Sequence, residues 1–155
     1  MTTYLLHWIA ANPTAVVAAV SAVFAIRTYR QTYKTKRAEF LLQLHKSFFV
    51  DPTYKDMRDL LDDSSDDASV RLHDAISEES SELTDFLNLF ELIAYFENRG
   101  TLRREDIEAL LGYYLDLMGK RPKLLRYVEK DERSFENLNA LLKKHTQAKS
   151  QKGNR

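Results

Sequence analysis

A chain of 155 residues has room for one domain, and its 44% hydrophobic and 30% charged residues are ordinary values for a folded protein. The absence of cysteine excludes disulfide staples and cysteine-based zinc sites, and with them an exported, disulfide-dependent fold. The net charge of zero hides segregation: five bases and no acid lie between Arg27 and Arg37, and five more bases and no acid between Lys143 and Arg155. The stretch 38–142 therefore holds all 23 acids against 13 bases.

Four glycines and three prolines favour long helices over turn-rich β structure, so the expected class is all-α. The first element is the most apolar. Residues 14–26 read TAVVAAVSAVFAI, with Thr14 and Ser21 the sole polar positions, and both hydroxyls can bond back to a helical backbone. A helix with no polar face must be covered all round, by protein or by lipid. Asn12 and Pro13 supply an N-cap and a first helical residue, and residues 4–9 before them are apolar with Tyr4 and Trp8, as in an interfacial entry segment.

Counted over 4–26, the apolar stretch extends to about 23 residues, enough for the ~20 that a membrane-spanning helix needs. No Lys or Arg precedes it, whereas Arg27, Arg30, Lys34, Lys36 and Arg37 follow. Such one-sided charge places the N-terminus outside and the rest of the chain in the cytoplasm, with Tyr29 and Tyr33 at the far interface. Two rivals are weaker. Val23-Phe24-Ala25 resembles a signal-peptidase site, but a signal peptide carries its bases before the apolar run. A core helix of a protein without a membrane is the other. Small residues four apart (Ala11, Ala15 and Ala19; Ala18 and Ala22) would permit close helix–helix approach in a bilayer.

Beyond the anchor, residues 27–49 lack Gly and Pro, and Tyr33, Phe40, Leu41, Leu44 and Phe48 recur at helical spacing. The spacing predicts one helix that leaves the bilayer and becomes amphipathic, with its basic face suited to an anionic leaflet. Asp51-Pro52 starts a short helix over 53–61. The acids of Asp62-Asp63-Ser64-Ser65-Asp66-Asp67 invite a calcium-loop reading, but a twelve-residue loop from Asp62 puts Asp67 where Gly is required and His73 where Glu is required. A solvated acidic loop is the expectation. Ser77 then caps a core helix through Leu83, Phe86, Leu87, Phe90, Ile93 and Phe96, closing near Gly100. Further helices are predicted over 103–118, with Ile107, Leu110, Leu111, Tyr114 and Leu117 inward, over 122–130, and over 133–146, with Phe135, Leu138, Leu141 and Leu142 inward.

The whole is thus an N-terminal transmembrane helix continuing into a small cytoplasmic bundle of about five further helices. The domains are an interfacial segment 1–12, an anchor with its basic juxtamembrane helix 13–36, a helical domain 37–146 and a disordered basic tail 147–155.

Within the core helix, Asn88 and Glu91 are three apart and share a face flanked by large apolar residues. A carboxylate near a core needs a partner. Arg58, Arg71, Arg103 and Arg104 are the candidates, and a buried polar pair that fixes helix register is the expected role. A general acid–base role would need a pocket and a second group, and neither is visible in the sequence. His7, His45, His73 and His145 have no metal-ligand spacing, and no phosphate loop or nucleophile elbow occurs. Lys123, Arg126, Lys130 and Arg133 could line one helix face and meet phosphates, but Glu129, Asp131, Glu132 and Glu136 interleave and make a solvated mixed face the expectation.

The apolar helix and its basic flank, then KTKRAEFLLQLHKSF and LNLFELIAYFENRGTL, resemble the bacterial, membrane-anchored family known as domain of unknown function four-seven-six-zero. The resemblance covers most of 13–142. Members carry an Asn and a Glu three apart in a core helix and then a Gly that opens the next turn, matched here by Asn88, Glu91 and Gly100. It implies an architecture and a location at the bacterial inner membrane, and no activity.

The expected function is accordingly that of a membrane-anchored interaction or regulatory module at the cytoplasmic face. Its partners would be the lipid bilayer and a protein or a second copy of itself, with no cofactor, metal, catalytic residue or nucleic acid. The alternatives are a membrane-active effector of stress or phage response, and an enzyme with a site near Glu91.

Overall fold

The computed structural model describes residues 13–130 and 134–153. Seven α-helices and no strand occur among them. They are α1 (Pro13–His45), α2 (Lys55–Asp62), α3 (Asp66–Ser77), α4 (Ser81–Asn98), α5 (Arg104–Gly119), α6 (Pro122–Val128) and α7 (Glu136–Gly153). The all-α expectation holds, with six helices after the first instead of about five. The chain divides into two compact units, Met1–Phe40 and Leu41–Arg155.

The first unit contains α1 as far as Phe40. Pro13 is its first helical residue, as expected. Among the described residues no helix is long and apolar enough to cross a membrane. The reason lies in length. The apolar run 14–26 covers about 20 Å at 1.5 Å per residue, against a hydrocarbon core of about 30 Å. Extending the window brings in Arg27 and Arg30. The spanning segment expected from sequence begins at residue 4, and residues 1–12, including the Asn12 cap, lie outside the described residues.

The second unit is built around α4. Leu83, Phe86, Leu87, Phe90, Ile93 and Ala94 are buried along it at helical spacing, and α4 packs most extensively against α7. The buried face of α7 continues from Phe135 through Leu138, Leu141 and Leu142 to His145. On α5 the inward stripe is Ile107, Leu111, Tyr114, Leu115 and Met118. Leu110 and Leu117, both expected inward, are half-buried, because the face that α5 presents to the core is turned toward Leu115 and Met118.

A π-turn over Lys46–Val50 ends the first helix and drives Phe48 into the core. Asp51 then caps the next turn, its Oδ1 accepting from Thr53 N at 2.9 Å and from Thr53 Oγ1 at 2.6 Å. Arg58 from α2 is buried beneath this corner. It donates to the carbonyls of Phe48 and Phe49, and its guanidinium carbon lies 5.4 Å from the Phe48 ring centroid. The orphan carbonyls at the end of a helix are thus satisfied by a side chain from the next one.

The acidic loop expected at 62–67 is a correction. Ser65 Oγ accepts from Ala68 N at 3.1 Å, so Asp66 and Asp67 open a helix at its positive end. Ala68 and Leu72 are buried on that helix, and Ile76 is half-buried. Ser77 therefore ends α3, and the cap of α4 is Ser80, whose Oγ accepts from Leu83 N at 3.2 Å. At the other end of α4, Gly100 takes φ +70°, a left-handed turn that lets Gly100 N reach Glu97 O and Thr101 N reach Phe96 O. The last helix runs on through Gly153, so the unstructured tail expected from Gln147 is not found over 147–153.

Candidate functional site

Four places bring polar side chains together or leave surface uncovered. The first is Glu91. Its Oε1 accepts from Asn137 N at 3.2 Å and Asn137 Nδ2 at 2.5 Å, and its Oε2 accepts from Leu138 N at 2.7 Å. Asn98 holds the same Asn137 side chain at 2.7 Å. A carboxylate on α4 thus satisfies free N–H groups at the start of α7, where the helix dipole also favours negative charge. None of the proposed arginines is its partner. Arg58 serves the Phe48 corner, Arg104 meets Glu97 at 3.4 Å and Glu108 at 2.7 Å, and Arg71 and Arg103 are exposed. Asn88 is exposed, so the structure does not make an Asn88–Glu91 pair. With both of its oxygens engaged, Glu91 braces two helices and faces no second acid in these contacts.

The second place is His145, to which no local spacing assigns a role. Its side chain is 4% exposed and lies between two carboxylates of α5. Nδ1 is 2.8 Å from Glu108 Oε1, and Nε2 is 2.6 Å from Asp116 Oδ1. Lys149 reinforces Asp116, and Arg104 reinforces Glu108. Burial pushes the Glu108 and Asp116 carboxyls up, but His145 with Arg104 at the first, and Lys149 with His145 at the second, hold both below the ordinary carboxylate range.

Groups held low in the fold add stability that is present above their ordinary values and lost as pH falls through the folded ones. The unfolding free energy should therefore drop as pH falls below about 4, and the drop should be shallower in His145→Gln. Denaturant titrations of both proteins across pH 2.5–6 check this, and parallel profiles would contradict it. Among the described residues no group of three or more His, Asp or Glu is placed to hold a metal ion.

The third place is a groove of about 350 Å³ between α3 and α6. Leu72 and Ile76 from α3 and Pro122 from α6 give it an apolar floor. Lys120, Lys123 and Arg126 rim it, with His73 opposite. A second cavity of about 320 Å³ continues it past Tyr127 to Lys130 and shares His73, Ile76, Lys123 and Arg126. Arg121 is committed elsewhere: it donates to Asp63 O at 2.7 Å, to Leu61 O at 3.4 Å and to Ser69 Oγ at 3.3 Å, tying down the turn between α2 and α3.

Among the described residues no carboxylate lies within ion-pair reach of Lys120, Lys123, Arg126 or Lys130. The interleaved acid Glu129 turns away to Lys143 at 3.3 Å. Asp131, Glu132 and Arg133 lie outside the described residues. The mixed face expected from sequence is, over 120–130, a sorted one.

The fourth place is α1 within the first unit. Val17, Val23 and Phe24 are 65%, 65% and 66% exposed, and Val20 and Ile26 are exposed as well. At 100° per residue Val17 and Ile26 stand on opposite sides of the helix, so apolar surface faces outward all round. Arg27, Arg30, Lys34 and Lys36 follow on exposed positions, and Arg37 is half-buried.

Among the described residues the fold is small and all-α, with side chains that brace helix ends and a groove rimmed by cations. The chain belongs to the family described as Domain of unknown function (DUF4760), which matches residues 15–145. No curated protein and no solved structure matches it.

Proposed function

We propose that the protein is an interaction or regulatory module tethered by α1 to the bacterial inner membrane, N-terminus outside and helical body cytoplasmic. The exposed apolar surface of α1 carries this reading. Five large apolar side chains between Val17 and Ile26 lie more than half exposed on a stretch whose sole polar residue is Ser21. Leaving them in water would forgo about 1.5–3 kcal/mol for each fully buried side chain. The described run is shorter than a bilayer core, and the sequence ahead of it, residues 4–11, is apolar but for His7. Bases that follow the run and do not precede it set the orientation. No catalytic step is assigned to the body.

Because the chain has no cysteine, single-cysteine variants report topology cleanly. Thr2→Cys should react with a membrane-impermeant maleimide in intact spheroplasts, and Ser150→Cys should react only after permeabilisation. Labelling of Ser150→Cys in intact spheroplasts would overturn the orientation.

A second reading rests on the same surface. Ala18 and Ala22 are exposed four residues apart, which suits helices that assemble and perturb the bilayer. That effector reading requires toxicity on overexpression that Val17→Asp with Val20→Asp abolishes, and toxicity without α1 would sink it.

A further inference from the structure

We propose that the groove between α3 and α6 is the docking site for an acidic, amphipathic helical segment of a partner protein. The proposal deepens the interaction-module reading by giving it a surface and a partner chemistry. Two adjoining cavities that share His73, Ile76, Lys123 and Arg126 make a trough. A trough accepts a rod, and a helix laid along it reads the floor with apolar residues at i, i+3 and i+4. The floor is apolar at Leu72, Ile76 and Pro122, so contact area comes from side chains of that kind.

The charge defines the rest of the partner. Lys120, Lys123, Arg126 and Lys130 recur at spacings of three and four along α6 and just beyond its ends, and none is neutralised by a carboxylate among the described residues. An acidic helix carries its Asp and Glu at the same spacing on the flanks of its apolar stripe. A compact phosphate fits less well. The cations are strung out instead of converging, and Arg121, the one most able to fork an anion, already bonds two carbonyls. Exposed ion pairs add little affinity singly, so the apolar floor supplies the hold and the cations choose the partner and speed its approach.

The test selects binders from a random library of 15-residue peptides displayed on phage, using the detergent-solubilised full chain as bait. Lys123→Glu with Arg126→Glu is the counter-selection bait, and both positions are exposed, so neither substitution enters the core. A thermal melt of the variant verifies its fold, and Lys130→Glu alone gives a milder second variant. The expected result is enrichment of peptides with Asp and Glu interleaved among apolar residues at helical spacing. Their affinity should fall at least about tenfold in the double variant, as when like charges replace a complementary pair. It should fall again in high salt.

Enrichment of peptides without acids, binding indifferent to the double variant, or no enrichment would each overturn the docking site. Vesicles of phosphatidylglycerol that bind the wild type and not the variant, with no acidic peptide enriched, would transfer the groove to lipid headgroups and overturn it too. The tether is read by partition into a bilayer and this site by peptide binding, so each can fail without the other.

Discussion

Phe48→Ala is expected to destabilise the second unit by about 3–5 kcal/mol, the range for deleting a fully buried aromatic side chain. Phe48 is 0% exposed and stands among the rings of Phe49, Tyr54, Phe86, Phe90 and Tyr114, at centroid separations of 4.8–6.2 Å. Five rings on a helix corner cannot close over the vacated space without moving α4 and α5 together. The loss also strips the face under which the Arg58 guanidinium lies. For a unit of this size the shift in Tm is roughly 10–20 °C. Denaturant unfolding followed by tyrosine fluorescence measures it, and a loss below about 1 kcal/mol would mean that the corner is not part of the cooperative core.

Glu91→Ala is expected to cost about 2–3 kcal/mol, because charge-assisted hydrogen bonds to Asn137 and Leu138 vanish and backbone donors are left without partners. Glu91→Gln should recover part of this, since one amide oxygen still accepts while its NH₂ opposes a donor. The distinguishing readout is hydrogen exchange at the first turn of α7, which should speed up in Glu91→Ala while the centre of α4 changes less. A merely solvated glutamate would give neither effect.

The helices with dense apolar stripes were legible in the sequence. The α4 stripe from Leu83 to Ala94 and the Phe135–Leu142 stripe each bury one side at helical spacing, and the structure buries those positions. The stripe of α7 also carried the signal for His145, which stands at i+3 from Leu142 and i+4 from Leu141. An ionisable residue continuing an apolar stripe needs partners, and the missing information was that Glu108 and Asp116 sit about two α5 turns apart across from it.

What was illegible depended on long-range contact. Glu91 is 46 and 47 residues from the donors it meets, and no local spacing announces a helix N-terminus that distant. The helix α3 was hidden by its own start. Four acids around two serines look like a solvated loop, yet Ser65 is a cap, and Ala68, Leu72 and Ile76 follow at spacing four. Since α3 forms one wall of the cationic groove, the groove was out of reach for the same reason. The acids near Lys123 and Arg126 were visible, but not that Glu129 turns to Lys143 and leaves the groove's rim, among the described residues, without a carboxylate partner.

The tether is the claim on which the account turns, and alkaline carbonate extraction of membranes from cells expressing the full chain tests it most directly. The chain should stay in the pellet and enter solution only with detergent. Val20→Asp with Phe24→Asp, which puts two charges on the exposed apolar face of α1, should move it to the supernatant. Recovery of the intact wild-type chain in the supernatant without detergent would contradict the account.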